Sequence, residues 1–226
     1  MEWLEIQLSQ ELFEQIPNFK LGIIEYKDIM VGESQQMIKG RLQLFQESIY
    51  FDLENKNVTE LSGIQEWRTI FKKIGKDPNR YRPSVEALYR RVQKQNYLTS
   101  VQSAIDINNF FSLQYQVPIG IYDLNLIKGR VSIRLGTVGE EYTGLNGRIN
   151  SLNRLIVSCD ELGPFGSPFV DSDRTPVTFA TKNALQIIYL RPSTDVENAM
   201  KLTESLMNMF TKLHGGDASF QILRCP

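Results

Sequence analysis

The sequence predicts an α+β fold, on three observations. Apolar residues recur at helical spacing over residues 58–74 and 194–213, and at strand spacing over residues 19–29 and 131–135. Helical patterns gather in the first half and around residues 194–213, whereas strand-like pieces fill the second half. No regular strand–helix alternation runs through the chain, so a parallel α/β sheet is not indicated.

In order, Ser9–Gln15 suggests a short helix stopped before Pro17, and FKLGIIEYKDI (residues 19–29) alternates as a strand. Residues 36–51 place Met37, Leu42, Leu44, Phe45 and Ile49 more as a helix than a strand, with Gly40 inside. Leu61, Ile64, Trp67, Ile70 and Phe71 give residues 58–74 one apolar face, and Gly75 ends that helix. After a turn at Asp77-Pro78-Asn79, Arg82-Pro83 opens the next helix, with Val85, Leu88, Tyr89 and Val92 as its inner stripe. Residues 101–135 read as a helix, a turn at Pro118, then two short strands, the second carried by Val131, Ile133 and Leu135.

Beyond Leu135, strands at 155–159 and 184–190 are separated by Gly, Asn and Pro clusters. Gln186–Leu190 is apolar on both faces, as a central strand would be. Residues 161–169, ELGPFGSPF, read as a loop. In the helix over 194–213, Thr194 with Glu197 forms a capping box and Gly215 closes the far end. Residues 219–223 make a last strand with Phe220 and Ile222 on one side.

The chain of 226 residues is 42 % apolar, enough for a proper core. No apolar run approaches ~18 residues, so no membrane span is expected. The start, MEWLEIQLSQELF, is acidic and lacks the basic and apolar regions of a secretory signal. Cys159 and Cys225 have no metal-ligand spacing and read as free thiols of a cytoplasmic protein. His214, before Gly215-Gly216, reads as a helix-end cap. There is no G-x-S-x-G elbow, Walker loop or H-E-x-x-H motif, and no metal or cofactor is indicated.

Formal net charge is −1, but it is unevenly spread. Residues 1–67 carry five basic and twelve acidic side chains, whereas residues 68–94 carry nine basic and two acidic ones. Lys72, Lys73, Lys76, Arg80, Arg82, Arg90 and Arg91 in this belt are candidates for neutralising nucleic-acid phosphates. The alternative is a solvated face, or pairing with the acidic first third. Arg82 sits where helix N–H groups favour anions; a salt bridge or a bond to a loop carbonyl accounts for it equally.

Asp106 and Asn109, three apart, share one helix face. Burying such groups unpaired costs several kcal/mol (roughly 2 to 7 for the amide), so they form either a structural network or the wall of a polar pocket. Residue chemistry favours the network. Asp171-Ser172-Asp173-Arg174-Thr175 likewise suits Asx and Ser/Thr turns, or a polar ligand.

Asp106-Ile107-Asn108-Asn109-Phe110 followed by Val117-Pro118-Ile119-Gly120-Ile121-Tyr122-Asp123-Leu124 resembles the editing module of bacterial phenylalanyl-tRNA synthetase. That module is formed by the third and fourth B domains of the β subunit. The resemblance extends to Arg82–Leu88, Arg134, Gly139-Glu140 and Asp171–Thr175, and covers residues 68–226. It implies a three-layer module, a β-sandwich of unusual topology flanked by helices. Residues 1–67 are then an acidic extension packed on it as an extra layer.

The resemblance further implies a freestanding protein that binds the aminoacyl end of tRNA and hydrolyses mischarged tRNA in trans, an aminoacyl-tRNA deacylase. Asp106, Asn109, Asp123, Arg134, Glu140, Asp171, Ser172 and Thr175 would bind the substrate and position a water, with no catalytic residue singled out. The chain departs from the family in two places. Gly120 stands where many synthetase modules have a histidine, and Leu145-Asn146-Gly147 is followed by Arg148-Ile149 instead of the family's acidic residue. The alternative reading is a non-catalytic binding module for an amino acid, a nucleotide or a protein partner.

Overall fold

The computed structural model describes residues 4–224, so Cys225 and the first three residues of the acidic start lie outside the described residues. The first elements are β1 (Ile6–Leu8), α1 (Gln10–Gln15), β2 (Lys20–Lys27), α2 (Gln36–Asp52) and α3 (Ser62–Lys73). Then come α4 (Ser84–Gln93), α5 (Ser103–Tyr115), β3 (Ile119–Asp123), β4 (Val131–Leu135), β5 (Glu141–Thr143) and β6 (Ile149–Ser151). The chain continues through β7 (Ile156–Asp160), β8 (Gly163–Gly166), β9 (Ala184–Tyr189), α6 (Val196–His214) and β10 (Asp217–Arg224).

The fold is mixed α+β, with two four-stranded sheets of order β1-β4-β7-β8 and β10-β2-β9-β3, and a small β5-β6 hairpin. β1 joins the first sheet in parallel, Ile6 opposite Val131. In the second sheet β2 lies between β10 and β9, both antiparallel to it. The sheets face each other where Ser158 of β7 and Tyr189 of β9 share a hydrogen bond of 2.9 Å. α6 packs on β2 and β10, and α5 on β3.

Residues before 68 are thus woven into the sheets. From Lys20 to Tyr26 every residue of β2 is buried, as expected of an interior strand. The two strands flanking Leu124 part company: β3 pairs with β9, whereas β4 pairs with β1 and β7.

Four local expectations are corrected. The helix over 58–74 is broken at Leu61, whose extended backbone separates a 3₁₀ turn at Val58–Glu60 from α3. Pro83 sits one position before α4, where its lack of an N–H is equally harmless. The cap of α6 is Asp195, whose carboxylate accepts from the Asn198 N–H at 2.7 Å; Thr194 stands outside. Within the expected loop 161–169, residues 163–166 form β8, paired to β7 through a bulge between Ser158 and Cys159.

His214 is 2 % exposed. Its Nδ1 meets the Phe210 carbonyl at 2.9 Å, as a helix-end cap does, while Nε2 meets Ser103 Oγ of α5 at 2.7 Å. Burial lowers its pKa, so it is a neutral buried link between α6 and α5.

Candidate functional site

Asp106, in the first turn of α5, is wholly buried. Its carboxylate accepts from Ser34 Oγ at 2.5 Å, from the Val101 N–H at 3.0 Å and from Ser100 Oγ. It ties the segments before α2 and before α5 to that helix. Asn109 is only half-buried. Its neighbour Asn108 is the one turned inward: Nδ2 donates to the Ile119 carbonyl at 2.8 Å, and Oδ1 accepts from Gln186 Nε2 at 2.9 Å. Gln186 in turn accepts from Tyr26 Oη at 2.8 Å, so one chain of amides joins α5, β3, β9 and β2.

Arg134 and Glu140 close on each other. The guanidinium donates to both carboxylate oxygens, at 2.8 and 2.5 Å, and Glu140 also accepts from the Thr137 N–H at 2.9 Å. The Arg134 hydrogen bonds hold the Glu140 carboxyl below the usual carboxylate range. The pair staples β4 to the turn before β5.

Asp123, Asp171, Ser172 and Thr175 gather where β3 meets the segment after β8. Asp123 accepts from the Asn125 N–H at 2.9 Å and from Thr181 Oγ1 at 2.6 Å, and its own N–H donates to the Thr175 carbonyl at 3.1 Å. Ser172 Oγ accepts from the Arg174 N–H at 3.1 Å. Thr175 is fully buried, and its hydroxyl has no hydrogen-bond partner among the described residues.

The carboxyl of Asp171 is turned inward, with Oδ1 accepting from Tyr122 Oη at 2.7 Å and from the Ser167 N–H at 3.2 Å. Desolvation outweighs both bonds and pushes its pKa up to about 7. Around it, Tyr142 Oη meets Ser167 Oγ at 3.1 Å, and Tyr189 Oη meets Ser158 Oγ at 2.9 Å.

Tyr122 decides whether this hollow is open. Its ring packs edge-on to Phe165, with centroids 4.8 Å apart. A Cβ built on Gly120 would lie 2.0 Å from Tyr122 Oη, and one on Gly166 would lie 2.2 Å from it. The two glycines therefore leave the room that the phenol occupies, and the space beside position 120 is filled. An opening lies elsewhere: a cavity of about 430 Å³ bounded by Pro17, Asn18, Glu66 and Pro192, lined by none of the eight residues of the expected pocket.

The cationic belt divides. Arg90 pairs with the buried Glu86 at 2.9 Å, as does Arg68. Lys72, Lys73, Arg80, Arg82 and Arg91 are exposed. None of these five, nor Lys76, has an ion pair among the described residues. The Lys76 ammonium lies 4.0 Å from the centre of the Tyr81 ring, and the Arg80 guanidinium 5.7 Å from it. Tyr81 itself rests against Phe169, with centroids 5.6 Å apart.

Arg154 joins this group from 72 positions beyond Arg82 in the numbering, and no sequence pattern announces it. Its backbone is left-handed, with φ 59°, and its Nε donates to the Ile74 carbonyl at 2.9 Å. Burial, then the neighbouring charges of Arg80 and Arg154, lower the Lys76 pKa.

The model of the B3/4 domain matches residues 66–212. The chain is 33 % identical over 213 residues to the uncharacterized protein YhzB of Bacillus subtilis (strain 168), covering 94 % of this chain and 96 % of that one. It is 22 % identical over 151 residues to the phenylalanine–tRNA ligase beta subunit of Fusobacterium nucleatum, covering 56 % of this chain but 19 % of that subunit. For the same subunit of Streptomyces avermitilis the identity is 35 % over 80 residues, covering 35 % of this chain and 10 % of that one. A solved N-terminal fragment of the phenylalanyl-tRNA synthetase beta subunit from Pyrococcus horikoshii aligns with a TM-score of 0.47 and 13 % identity, over 96 % of this chain and 51 % of that one. The match thus spans a small part of each synthetase subunit but nearly the whole of YhzB. With the family's domain matched over most of its length, the chain belongs to the B3/4 domain family.

Proposed function

We propose that this chain is a tRNA-binding B3/4 module acting in trans, which grips phosphates near the aminoacyl end and does not itself hydrolyse the ester. The observation that carries the reading is a group of cations with no ion pair among the described residues: Lys76 and Arg80 over the Tyr81 ring, and Arg154, held on the Ile74 carbonyl, acting on Lys76. Such a surface suits a phosphate backbone with a base stacked on the ring. Kinship with the beta subunit of phenylalanine–tRNA ligase supports tRNA as the nucleic acid. Lys72, Lys73 and Arg82 are exposed cations of the same stretch of chain, whereas Arg90 is held by Glu86.

The absence of hydrolysis rests on the filled space beside Gly120 and on Arg134 and Glu140 binding each other. Arg134 and Glu140, each held by the other, are not free to orient a water against an ester.

The test is tRNA affinity against salt. Each neutralised phosphate contributes a slope of about −0.7 to −0.9 in log K against log salt. Three or four contacts give a slope of about −2 to −4, and Lys76→Gln with Arg154→Gln should flatten it by about 1 to 2. No measurable tRNA affinity at low salt overturns the reading. Deacylation of mischarged tRNA above the uncatalysed rate would restore the hydrolytic one.

A further inference from the structure

Lys20 and Arg224 stand directly opposite each other across β2 and β10, on one face of the second sheet. Like charges so placed repel, and the strands that carry them are weakened unless something relieves the pair. Neither has a carboxylate within ion-pair distance among the described residues. Lys20 is 7 % exposed, and a buried ammonium ordinarily has a counter-charge. Here Nζ donates to the carbonyls of Asn18 and Pro192, each at 3.0 Å. An ammonium has three N–H groups, so one is left without an acceptor among the described residues.

The carboxylates that act on Lys20 are engaged elsewhere. Glu66 accepts from the Ser193 N–H at 3.1 Å and from its hydroxyl at 2.7 Å. Asp195 accepts from the N–H and the side-chain amide of Asn198, both at 2.7 Å. Burial lowers the Lys20 pKa, and Arg224 lowers it further against the pull of Glu66 and Asp195.

Both cations line a cavity of about 470 Å³ between the start of β2, the end of β10 and the start of α6. That volume falls in the range of small-molecule sites and exceeds the needs of one anionic group. Pro17, Pro192 and Val196 give the same cavity an apolar wall, and Thr194 adds a hydroxyl-bearing side chain.

We propose that this cavity binds a small organic oxyanion, a phosphate ester or a carboxylate, with its charged end between Lys20 and Arg224 and its body against Pro17, Pro192 and Val196. The guanidinium offers two parallel donors to such a group, and the remaining N–H of Lys20 offers a third. The bound charge also relieves the repulsion between the two strands. The site is separate from the tRNA surface, since Lys76, Arg80 and Arg154 do not line this cavity.

Isothermal titration of the full chain with phenyl phosphate and with benzoate, at constant ionic strength in chloride, tests the proposal. At least one should bind with a millimolar or tighter dissociation constant, and uncharged benzyl alcohol should bind at least about tenfold more weakly. Arg224→Gln and Lys20→Met should each weaken the bound anion by about tenfold or more. Arg224 is exposed, so its variant keeps the fold and decides the matter if Lys20→Met does not fold. Tighter binding of phenyl phosphate assigns the cavity to phosphate esters, tighter binding of benzoate to carboxylates, and equal binding to either. Failure of both anions to bind, benzyl alcohol bound as tightly as they are, or an Arg224→Gln variant that binds like wild type overturns the proposal.

Discussion

Gly120→Ala is expected to destabilise the protein by about 3 kcal/mol or more, a large effect for one added methyl. The new Cβ would lie 2.0 Å from Tyr122 Oη and 2.5 Å from its Cζ. The ring cannot swing aside: Tyr122 is 1 % exposed, braced by Phe165, and the Gly166 backbone closes the opposite side. Chemical denaturation measures the loss directly. In a Tyr122→Leu background the obstruction is gone, so the two changes should cost less together than the sum of each alone, by about 2 kcal/mol. Strict additivity would mean that the phenol does not fill the space beside position 120. The histidine that many synthetase modules carry there and the present placement of Tyr122 exclude each other.

Asp171→Asn should stabilise the protein at pH 8 by about 3 kcal/mol and leave it almost unchanged at pH 4. The native carboxyl has a pKa of about 7, against an ordinary 3.8, because burial outweighs its hydrogen bonds from Tyr122 and Ser167. Between those values the unfolded chain has lost a proton that the native state keeps. Stability therefore falls as pH rises from about 4 to about 7, then falls no further on this account; below about 4 both states are protonated and the group contributes nothing. An asparagine carries no such charge, and its carbonyl oxygen can accept the two bonds that Asp171 Oδ1 accepts now. Melting temperatures of the two proteins should diverge from pH 4 to about 7 and then run parallel to pH 8. A constant difference across that range would show that Asp171 is not the titrating group.

The fold was legible where burial alone dictates pattern. The one-sided periodicity of α3, the doubly apolar run of β9 and the glycine ending α6 each follow from a single requirement imposed on a short stretch. The site was less legible, because its geometry is set by contacts remote in sequence. That Asn108 and not Asn109 turns inward depends on Gln186 and on the Ile119 carbonyl. Arg154 meets Lys76 only because a left-handed residue on a connecting loop reaches the end of α3. The resemblance identified Gly120 as a departure, but no pattern in the chain reveals that Tyr122 takes the vacated room. β8 escaped notice because a Gly-Pro-Phe-Gly strand looks like a turn until β7 supplies its partner.

The position of β2 bears on how the protein is made. This oily ribbon has both its flanking partners, β9 and β10, far downstream, beginning at Ala184 and Asp217. A nascent polypeptide must therefore carry it without its strand neighbours until β9 and β10 have been made, and only then can the second sheet close around it. Such long-range closure makes folding slow, and it makes the growing chain a natural client for chaperones that mask exposed hydrophobic segments.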